Sequence, residues 1–390
     1  MNAKQILFAL VRNVIGKEPV DAEVVSACTP EMLESVYVLA ARHDIAQMAG
    51  QAIGKLALPE SDAKKKCIQA AVAAFARYVR QEDDYRKTCQ VLENAKIPFL
   101  PLKGSVLRER YPEPWLRTSC DIDILVRRDD LQKAVNTLTE KLSYEKGVQA
   151  THDIALQTPA RTRIELHFDL VEEGRANSAN DVLCKVWEVA ILRKGSSFWY
   201  ELPDAYIFFY HIAHMEKHFE CGGCGIRPFI DLWLIENRGN GDLSQYRSLL
   251  DQGNLFCFAQ AVVKLSHVWL GNDVPDVISE RLEKFILQGG TYGSAMNRVA
   301  LHQKTRGGKY SYIISRVFAP YEKLKSYYPI LEKHRWLMPV MQIRRWFMLL
   351  SPDVVRMAKS ELEANKHLAQ YDVDDATQLL VDIGICKSSW

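Results

Sequence analysis

Two aspartates one residue apart, Asp121 and Asp123, lie within the apolar stretch CDIDILV at residues 120–126. The apolar residues around them predict a largely buried β-strand. Because side chains alternate between the two faces of a strand, both carboxylates should point the same way. Burying two like charges together is costly unless positive charge compensates them. We therefore predict a divalent cation beside this strand.

A second acidic strand is predicted at RIELHFDL, Arg163–Leu170. Glu165, His167 and Asp169 alternate along it and share one face. If this strand neighbours the first, one of its acids can join the aspartates. Three carboxylates at one end of a sheet are typical of Mg²⁺ sites that also use substrate phosphates. Two such ions can activate a hydroxyl and stabilise a leaving pyrophosphate.

A short apolar strand before these acids ends in Lys103, Gly104 and Ser105. Glycine at a strand-to-helix turn lets a phosphate approach the backbone, and the Ser105 hydroxyl adds a donor. The spacing of a Walker A loop is absent. Arginine suits bidentate phosphate contacts, which makes Arg117 a further candidate, whereas Arg108 and Arg110 fit a solvated helix face better.

Gly-Ser after one strand, Asp-x-Asp on the next and a third acid on a later strand together resemble the polymerase-beta-type nucleotidyltransferase superfamily. More narrowly, residues 100–126 with IELHFDL resemble a bacterial family labelled uncharacterised nucleotidyltransferase. That family shows Lys-Gly, Tyr-Pro, Arg and Asp-Ile-Asp in this order, as do Lys103–Gly104, Tyr111–Pro112, Arg117 and Asp121–Asp123. The resemblance is strong over residues 95–170 and extends weakly into HIAHMEKHFECGGCGIRPFIDLWLI.

The resemblance implies transfer of a nucleoside monophosphate from an NTP such as ATP to a hydroxyl on a small molecule or a protein. Asp121 and Asp123 would be metal ligands, and Glu165 would be the third carboxylate, as general base or metal ligand, with Asp169 as the alternative. The implied cofactor is Mg²⁺, as two ions, or Mn²⁺. The residues assigned to nucleotide binding are Lys103, Gly104, Ser105, Arg117, His214, His218, Arg227 and Asp231. Fifteen residues separate Ser105 from Asp121, a longer gap than the superfamily's, so an insertion around YPEPWLR should reshape the nucleotide pocket.

Two other interpretations stay open. A catalytically inactive nucleotide-binding or scaffold protein could keep the same fold, although intact acids speak against it. A helix carrying His211, His214 and His218, followed by Cys221 and Cys224, could also bind zinc, but the spacing is tighter than in ordinary zinc fingers. The histidines could instead simply face a neighbouring domain, with the two cysteines as incidental thiols in a glycine-rich helix end.

The composition is that of a globular protein, with 390 residues, 48% hydrophobic and 25% charged. The net charge of +2 makes a nucleic-acid partner unlikely, and the odd number of cysteines fits reduced thiols in a cytoplasmic protein. Apolar segments are too short or too charged to span a membrane.

The predicted fold class is α+β, with a small mixed-sheet core flanked by helices. We predict an N-terminal helical region at 1–95, the nucleotidyltransferase core at 96–175 and a C-terminal helical region at 176–390. Thr29–Pro30 should begin one helix, and a long helix should cover Ser61–Ala95. After helix RDDLQKAVNTLTEKL, two strands are predicted before residue 170, and only helices after about residue 180. The aromatic and basic segment at 327–350 is predicted to pack its aromatic face into a core.

Overall fold

A computed structural model describes residues 1–171, 177–238, 243–306, 317–321, 324–325, 328, 330–348, 355, 363 and 370–385. The chain divides into two compact units. The first comprises Met1–His214 and Gly225–Ser279, and the second comprises Met215–Cys224 and Glu280–Trp390. Among the described residues, no helix is both long and apolar enough to span a bilayer.

The first unit begins with five helices. They are α1 (Ala3–Gly16), α2 (Ala22–Ala27), α3 (Pro30–Arg42), α4 (Ala46–Ile53) and α5 (Asp62–Asn94). Thr29 caps α3 by accepting from the Met32 backbone N–H at 3.3 Å, which confirms the predicted start at Thr29–Pro30. Ser61 caps α5 in the same way, which confirms the long predicted helix. At Gly50, a Cβ would lie 2.0 Å from the Cys67 carbonyl oxygen, so α4 and α5 can pack this closely only with glycine there.

The sheet has five strands in the order β1-β2-β5-β4-β3. Its strands are β1 (Phe99–Pro101), β2 (Asp121–Val126), β3 (Glu145–Gln149), β4 (Asp153–Gln157) and β5 (Arg163–His167). Strands β2 and β5 are parallel, whereas the other neighbouring pairs are antiparallel. Two helices interrupt the strands, α6 (Lys103–Leu107) and α7 (Leu131–Leu142). The mixed sheet between helical segments confirms the α+β class.

One face of the sheet packs against α5 and α7. Ile122, Ile124 and Ile164 on the sheet are buried against residues such as Leu92 and Leu138 on these helices. Full burial of each such side chain stabilises the fold by about 1.5–3 kcal/mol. The isoleucines therefore strongly favour the strand orientation in which their face, and not the acidic face, points into the core. A shift of one residue in register would exchange this face with the acidic one.

Two parts of the sheet prediction are wrong. Strand β3 was not predicted, because all five of its residues are exposed and its sequence lacks apolar alternation. A hairpin of two short strands, β6 (Ile191–Leu192) and β7 (Tyr200–Glu201), also interrupts the region predicted to be wholly helical. Phe99 donates its backbone N–H to the Phe198 carbonyl at 2.9 Å, so the hairpin adjoins β1.

The remaining described helices include seven of eleven or more residues. In chain order they are α8 (Ser178–Leu183), α9 (Val186–Val189), α10 (Asp204–Glu220), α11 (Arg227–Arg238), α12 (Arg247–Gln252), α13 (Phe256–Leu270), α14 (Val277–Leu287), α15 (Ala295–Arg306), α16 (Ile330–Lys333), α17 (Met338–Met348) and α18 (Gln370–Asp382). In the second unit, Trp336 is 74% exposed and Phe347 is 70% exposed. The predicted burial of the aromatic face is therefore wrong for these two residues.

Candidate active site

The two acidic strands are neighbours. In the parallel register of β2 and β5, Asp121 lies opposite Arg163, Asp123 opposite Glu165, and Leu125 opposite His167. These residues alternate with the isoleucines that fill the core, so the acidic side chains occupy the other face of the sheet. The predicted adjacency and the shared face of Asp121 and Asp123 are confirmed by this register.

Asp123, Glu165 and His167 come together as a candidate metal-binding cluster. One possible ligand atom from each of the three residues lies within 4.8 Å of those from the other two. Among the described residues, this is the group of acidic, histidine and cysteine side chains that lies close enough to hold a metal ion. His167 Nε2 donates to Asp123 Oδ1 at 2.8 Å and lies 3.8 Å from Glu165 Oε2. Two carboxylates and an imidazole are suitable ligands for a divalent cation.

Asp121 lies beside this cluster and is not a member of it. Its carboxylate accepts from the Ser119 hydroxyl, with 3.0 Å between Ser119 Oγ and Asp121 Oδ1, and its side chain is only partly buried. Asp121 still acts electrostatically on both Lys103 and Glu165. Asp121 therefore lies next to the cluster, on the same face of β2 as Asp123.

Asp123 is buried and is held by two cationic donors. Burial by itself would raise the pKa of Asp123, but Lys103 and His167 outweigh burial and hold the pKa well below its ordinary value. Lys103 Nζ donates to the same Asp123 Oδ1 atom at 2.8 Å. Burial would lower the pKa of Lys103, but Asp123 outweighs it and raises that pKa. This pair is therefore ionised across the physiological pH range.

The environment of Glu165 differs from that of Asp123. Burial raises the pKa of Glu165, and the charges of Asp123 and Asp121 raise it further. Arg163, its neighbour on β5, lies 2.8 Å from Glu165 Oε1 through Nη2. Asp169, the alternative third acid, pairs instead with Arg128 at 3.4 Å and stands outside the cluster. The geometry thus brings Glu165, and not Asp169, to Asp123.

The Lys103–Gly104–Ser105 turn differs from its predicted form. Lys103, and not Gly104, has a left-handed backbone, with φ of 43°. A Cβ on Gly104 would lie 2.8 Å from Arg117 Nη1 and 3.1 Å from Ser119 Oγ, so the glycine allows close packing within the chain. The Ser105 hydroxyl is buried and has no hydrogen-bond partner within the described part of the chain.

Arg108 lies one turn after Ser105 and is buried, so its predicted place on a solvated helix face is wrong. Its Nε donates to the Gly104 carbonyl at 3.2 Å, and its guanidinium lies over the Tyr78 ring. Its Nη2 atom finds no hydrogen-bond partner among the described residues. Burial, with the nearby charge of Arg117, lowers the pKa of Arg108.

Arg117 and Asp231, both predicted to bind nucleotide, bind each other. Arg117 donates through Nε and Nη2 to the two carboxylate oxygens of Asp231, at 2.8 and 2.9 Å, and both side chains are buried. The Tyr111 hydroxyl also donates to Asp231, at 2.8 Å. Burial would raise the pKa of Asp231, but Arg117 outweighs it and the pKa is lowered. The pair forms a bidentate charged contact inside the first unit.

The segment before β2 is held by further buried and partly buried contacts. Arg227 Nη1 lies 2.8 Å from Asp44 Oδ2 and 2.9 Å from the Thr118 carbonyl oxygen. Gln47 donates to the Leu116 carbonyl at 2.6 Å, and Gln81 donates to the Ser119 carbonyl at 2.9 Å. The arginine and aspartate predicted on α11 therefore hold the segment that leads into the acidic strand.

The histidines of α10 and the two cysteines that follow it are not grouped as a metal site among the described residues. His211 is buried and donates through Nε2 to the Pro228 carbonyl at 2.8 Å. His214 contacts the Tyr210 ring, with 6.3 Å between centroids. His218, Cys221 and Cys224 belong to the second unit, and within the described ranges none of these five residues is part of a metal-binding group of three.

A comparison with known protein families matches residues 30–271 to the family described as uncharacterised nucleotidyltransferase. The chain belongs to this nucleotidyltransferase family. The family is one of transferases of phosphorus-containing groups and implies an NTP substrate. Comparisons with curated proteins and with solved structures give no match. Every site residue predicted from the sequence lies inside the matched range.

The candidate site involves residues to which the sequence assigned no role. His167 was placed on the acidic face, but it was given no role. Tyr210 on α10 was missed entirely: burial raises the pKa of its hydroxyl to about 12, while Lys103 opposes this effect. His167 lies two residues after Glu165, and this spacing indicated that both side chains are on the same face of the strand. No local pattern connects Tyr210 to strands that are far away in the sequence.

Proposed function

We propose that this protein transfers a nucleoside monophosphate from an NTP to a hydroxyl acceptor, with a divalent cation held by Asp123, Glu165 and His167. The observation that carries the proposal is the cluster of these three side chains on one face of two adjacent strands. Asp121, two residues from Asp123 on the same face, is the fourth proposed ligand.

The donor set fits Mg²⁺ or Mn²⁺. Carboxylate oxygens suit both ions, and an imidazole nitrogen increases the relative affinity for Mn²⁺ and softer metals. When bound, the ion supplies activation of the acceptor hydroxyl and offsets charge on the transferred phosphoryl group. The contacts of His167 and Lys103 with Asp123 keep this carboxylate ionised, which is the form that binds a cation.

Two buried donors support the proposed binding of phosphate. Ser105 Oγ and Arg108 Nη2 belong to one short segment after β1, and neither has a hydrogen-bond partner in the described part of the structure. An unpaired buried donor is costly, and a phosphate oxygen would satisfy it. In the proposed reaction, the acceptor oxygen bonds to the α-phosphorus, the bond to pyrophosphate breaks, and the acceptor proton passes to a carboxylate of the acidic face.

The roles proposed for the other predicted residues change with their contacts. Arg117, Arg227 and Asp231 are proposed to position the segment before β2, since their charged groups pair within the chain. His214 stays a proposed contact for nucleotide or acceptor, because it touches Tyr210, which acts electrostatically on Lys103. His218 remains a prediction from the resemblance.

Calorimetric titration of each of the four NTPs, with and without Mg²⁺ or Mn²⁺, tests this proposal. We expect one nucleotide to bind only with metal, and binding to be lost in Asp121→Asn, whose partly buried side chain can change without unfolding the protein. Asp129→Asn, an exposed acid just beyond β2, is the matched control and should bind normally. Metal-independent binding, or equal binding by Asp121→Asn, would count against the proposal. Binding without turnover for every acceptor tried would favour the inactive nucleotide-binding alternative.

A further inference from the structure

Lys103 has an unusual backbone at the edge of the acidic cluster. Its φ of 43° is in the left-handed region, which is unfavourable for a residue with a Cβ. The preceding residue, Leu102, donates its backbone N–H to the Asp123 carbonyl at 3.0 Å, so the turn is tied directly to β2. Strained backbones of this kind persist where the surroundings require them and are concentrated at functional sites.

The strained turn brings the ammonium group of Lys103 to the acidic face. Lys103 Nζ lies 2.8 Å from Asp123 Oδ1, and the charge of Asp121 also acts on it. In the two-ion site that the resemblance implies, Asp121 and Asp123 are both metal ligands, so the ammonium lies where a cation is expected. The other side of Asp123 faces His167 and Glu165, with which it forms the candidate metal cluster.

The charges of these side chains agree with a lysine on one side of Asp123 and a metal ion on the other. Asp121, Asp123 and Glu165 provide three negative charges, while Lys103 and Arg163 each pair with one of these carboxylates. Lys103, and not Arg163, pairs with an aspartate of the Asp-x-Asp motif, so the charge that a second ion would balance there is already balanced by the ammonium. Lysine is suited to this place because its ammonium is a compact point charge with three donors.

We propose that the Lys103 ammonium occupies the second cation position of this site, so that catalysis uses one divalent ion and a built-in lysine charge. The proposal rests on the proposed nucleotidyl transfer and replaces the two ions implied by the resemblance with one. Lys103 would then hold Asp123 and Asp121 in place and offset phosphate charge whatever the metal concentration.

Electron paramagnetic resonance of bound Mn²⁺ tests this assignment. The protein is mixed with Mn²⁺ and each of the four α,β-methylene NTP analogues, and the spectrum of the complex is recorded. Two Mn²⁺ ions in one such site lie roughly 3.5–4 Å apart and give a spin-coupled spectrum, whereas a single ion gives an uncoupled one. We expect an uncoupled ion in the wild-type complex and a coupled pair in Lys103→Met.

Two further variants keep the test decisive. Lys103→Gly also removes the ammonium but relieves the left-handed backbone, so it should fold even if Lys103→Met does not, and it should also show a coupled pair. Arg163→Gln removes the other paired cation and should keep a single ion, because Arg163 contacts Glu165 and not Asp123. A coupled pair in the wild-type protein, or a single ion in both Lys103 variants, would overturn the inference and leave the proposed function standing. No nucleotide-dependent Mn²⁺ binding in the wild-type protein would overturn both.

Discussion

Asp123 and Glu165 are direct partners across the parallel strands β2 and β5, although they are 42 positions apart in the sequence. Because partners in a sheet have their side chains on the same face, this register by itself brings the second aspartate of the Asp-x-Asp pair next to the third acid. The cluster with His167 follows from the same register, since His167 lies one alternation further along β5.

Asp121→Asn and Asp123→Asn should both lose nucleotidyl transfer but should differ in stability. Removing the charge of Asp123 leaves Lys103 next to a neutral buried group, and breaking a buried ion pair costs about 3–5 kcal/mol. Asp121 is partly buried and accepts from a neutral hydroxyl, so its replacement should cost much less. Urea unfolding of the two variants measures this difference. Equal stabilities would contradict the importance of the Lys103–Asp123 pair, and retained transfer in both would remove the carboxylates from the mechanism.

His167→Gln should weaken Mn²⁺ binding by at least roughly tenfold, because it removes an imidazole from the cluster and a donor from Asp123. Calorimetric titration of Mn²⁺ into the nucleotide-bound protein measures the change. His152→Gln is the matched control, since the His152 ring lies 5.7 Å from the His167 ring but is outside the cluster. Unchanged Mn²⁺ affinity in His167→Gln would mean that His167 only orients Asp123.

Arg117→Met and Asp231→Leu should each destabilise the protein by about 3–5 kcal/mol, because each leaves a buried charge without its partner. The double variant should be more stable than either single variant, since it removes both charges together. Urea unfolding of all four proteins forms a double-mutant cycle that measures the coupling between the two residues. If Arg117→Met is as stable as wild type but no longer binds nucleotide, Arg117 is a nucleotide ligand, as the sequence suggested.

Acid should destabilise the wild-type protein more than the Arg117→Met/Asp231→Leu variant. The pKa of Asp231 is lowered below its ordinary value of 3.8 in the folded protein, so its ionised form stabilises the fold above that value. This contribution is lost as pH falls through the lowered pKa, and the double variant lacks it. Comparing urea midpoints at about pH 7 and about pH 3 gives the loss for each protein. An equal loss in both would show that Asp231 contributes nothing to the pH dependence.

Much of the core could be predicted from the sequence because the relevant signals are local. The alternation of Asp121, Ile122, Asp123 and Ile124 identified both the strand and its acidic face. The capping residue Thr29 marked a helix start for the same reason, since a cap acts on backbone groups within one turn. Strand β3 and the β6–β7 hairpin escaped prediction because their short, exposed sequences bury no periodic apolar face.

By itself, the sequence determined the α+β class, the chain order of β1, α6, β2, α7, β4 and β5, and the side of β2 and β5 on which the acids lie. Only the tertiary structure decided which charged groups meet: Arg117 with Asp231, Lys103 with Asp123, and Glu165 rather than Asp169 with Asp123. Residue type shows that an arginine can bind a phosphate or a carboxylate equally well. Which of these it binds depends on what the fold brings within about 3 Å of it, and that distance is set by packing between elements far apart in the chain.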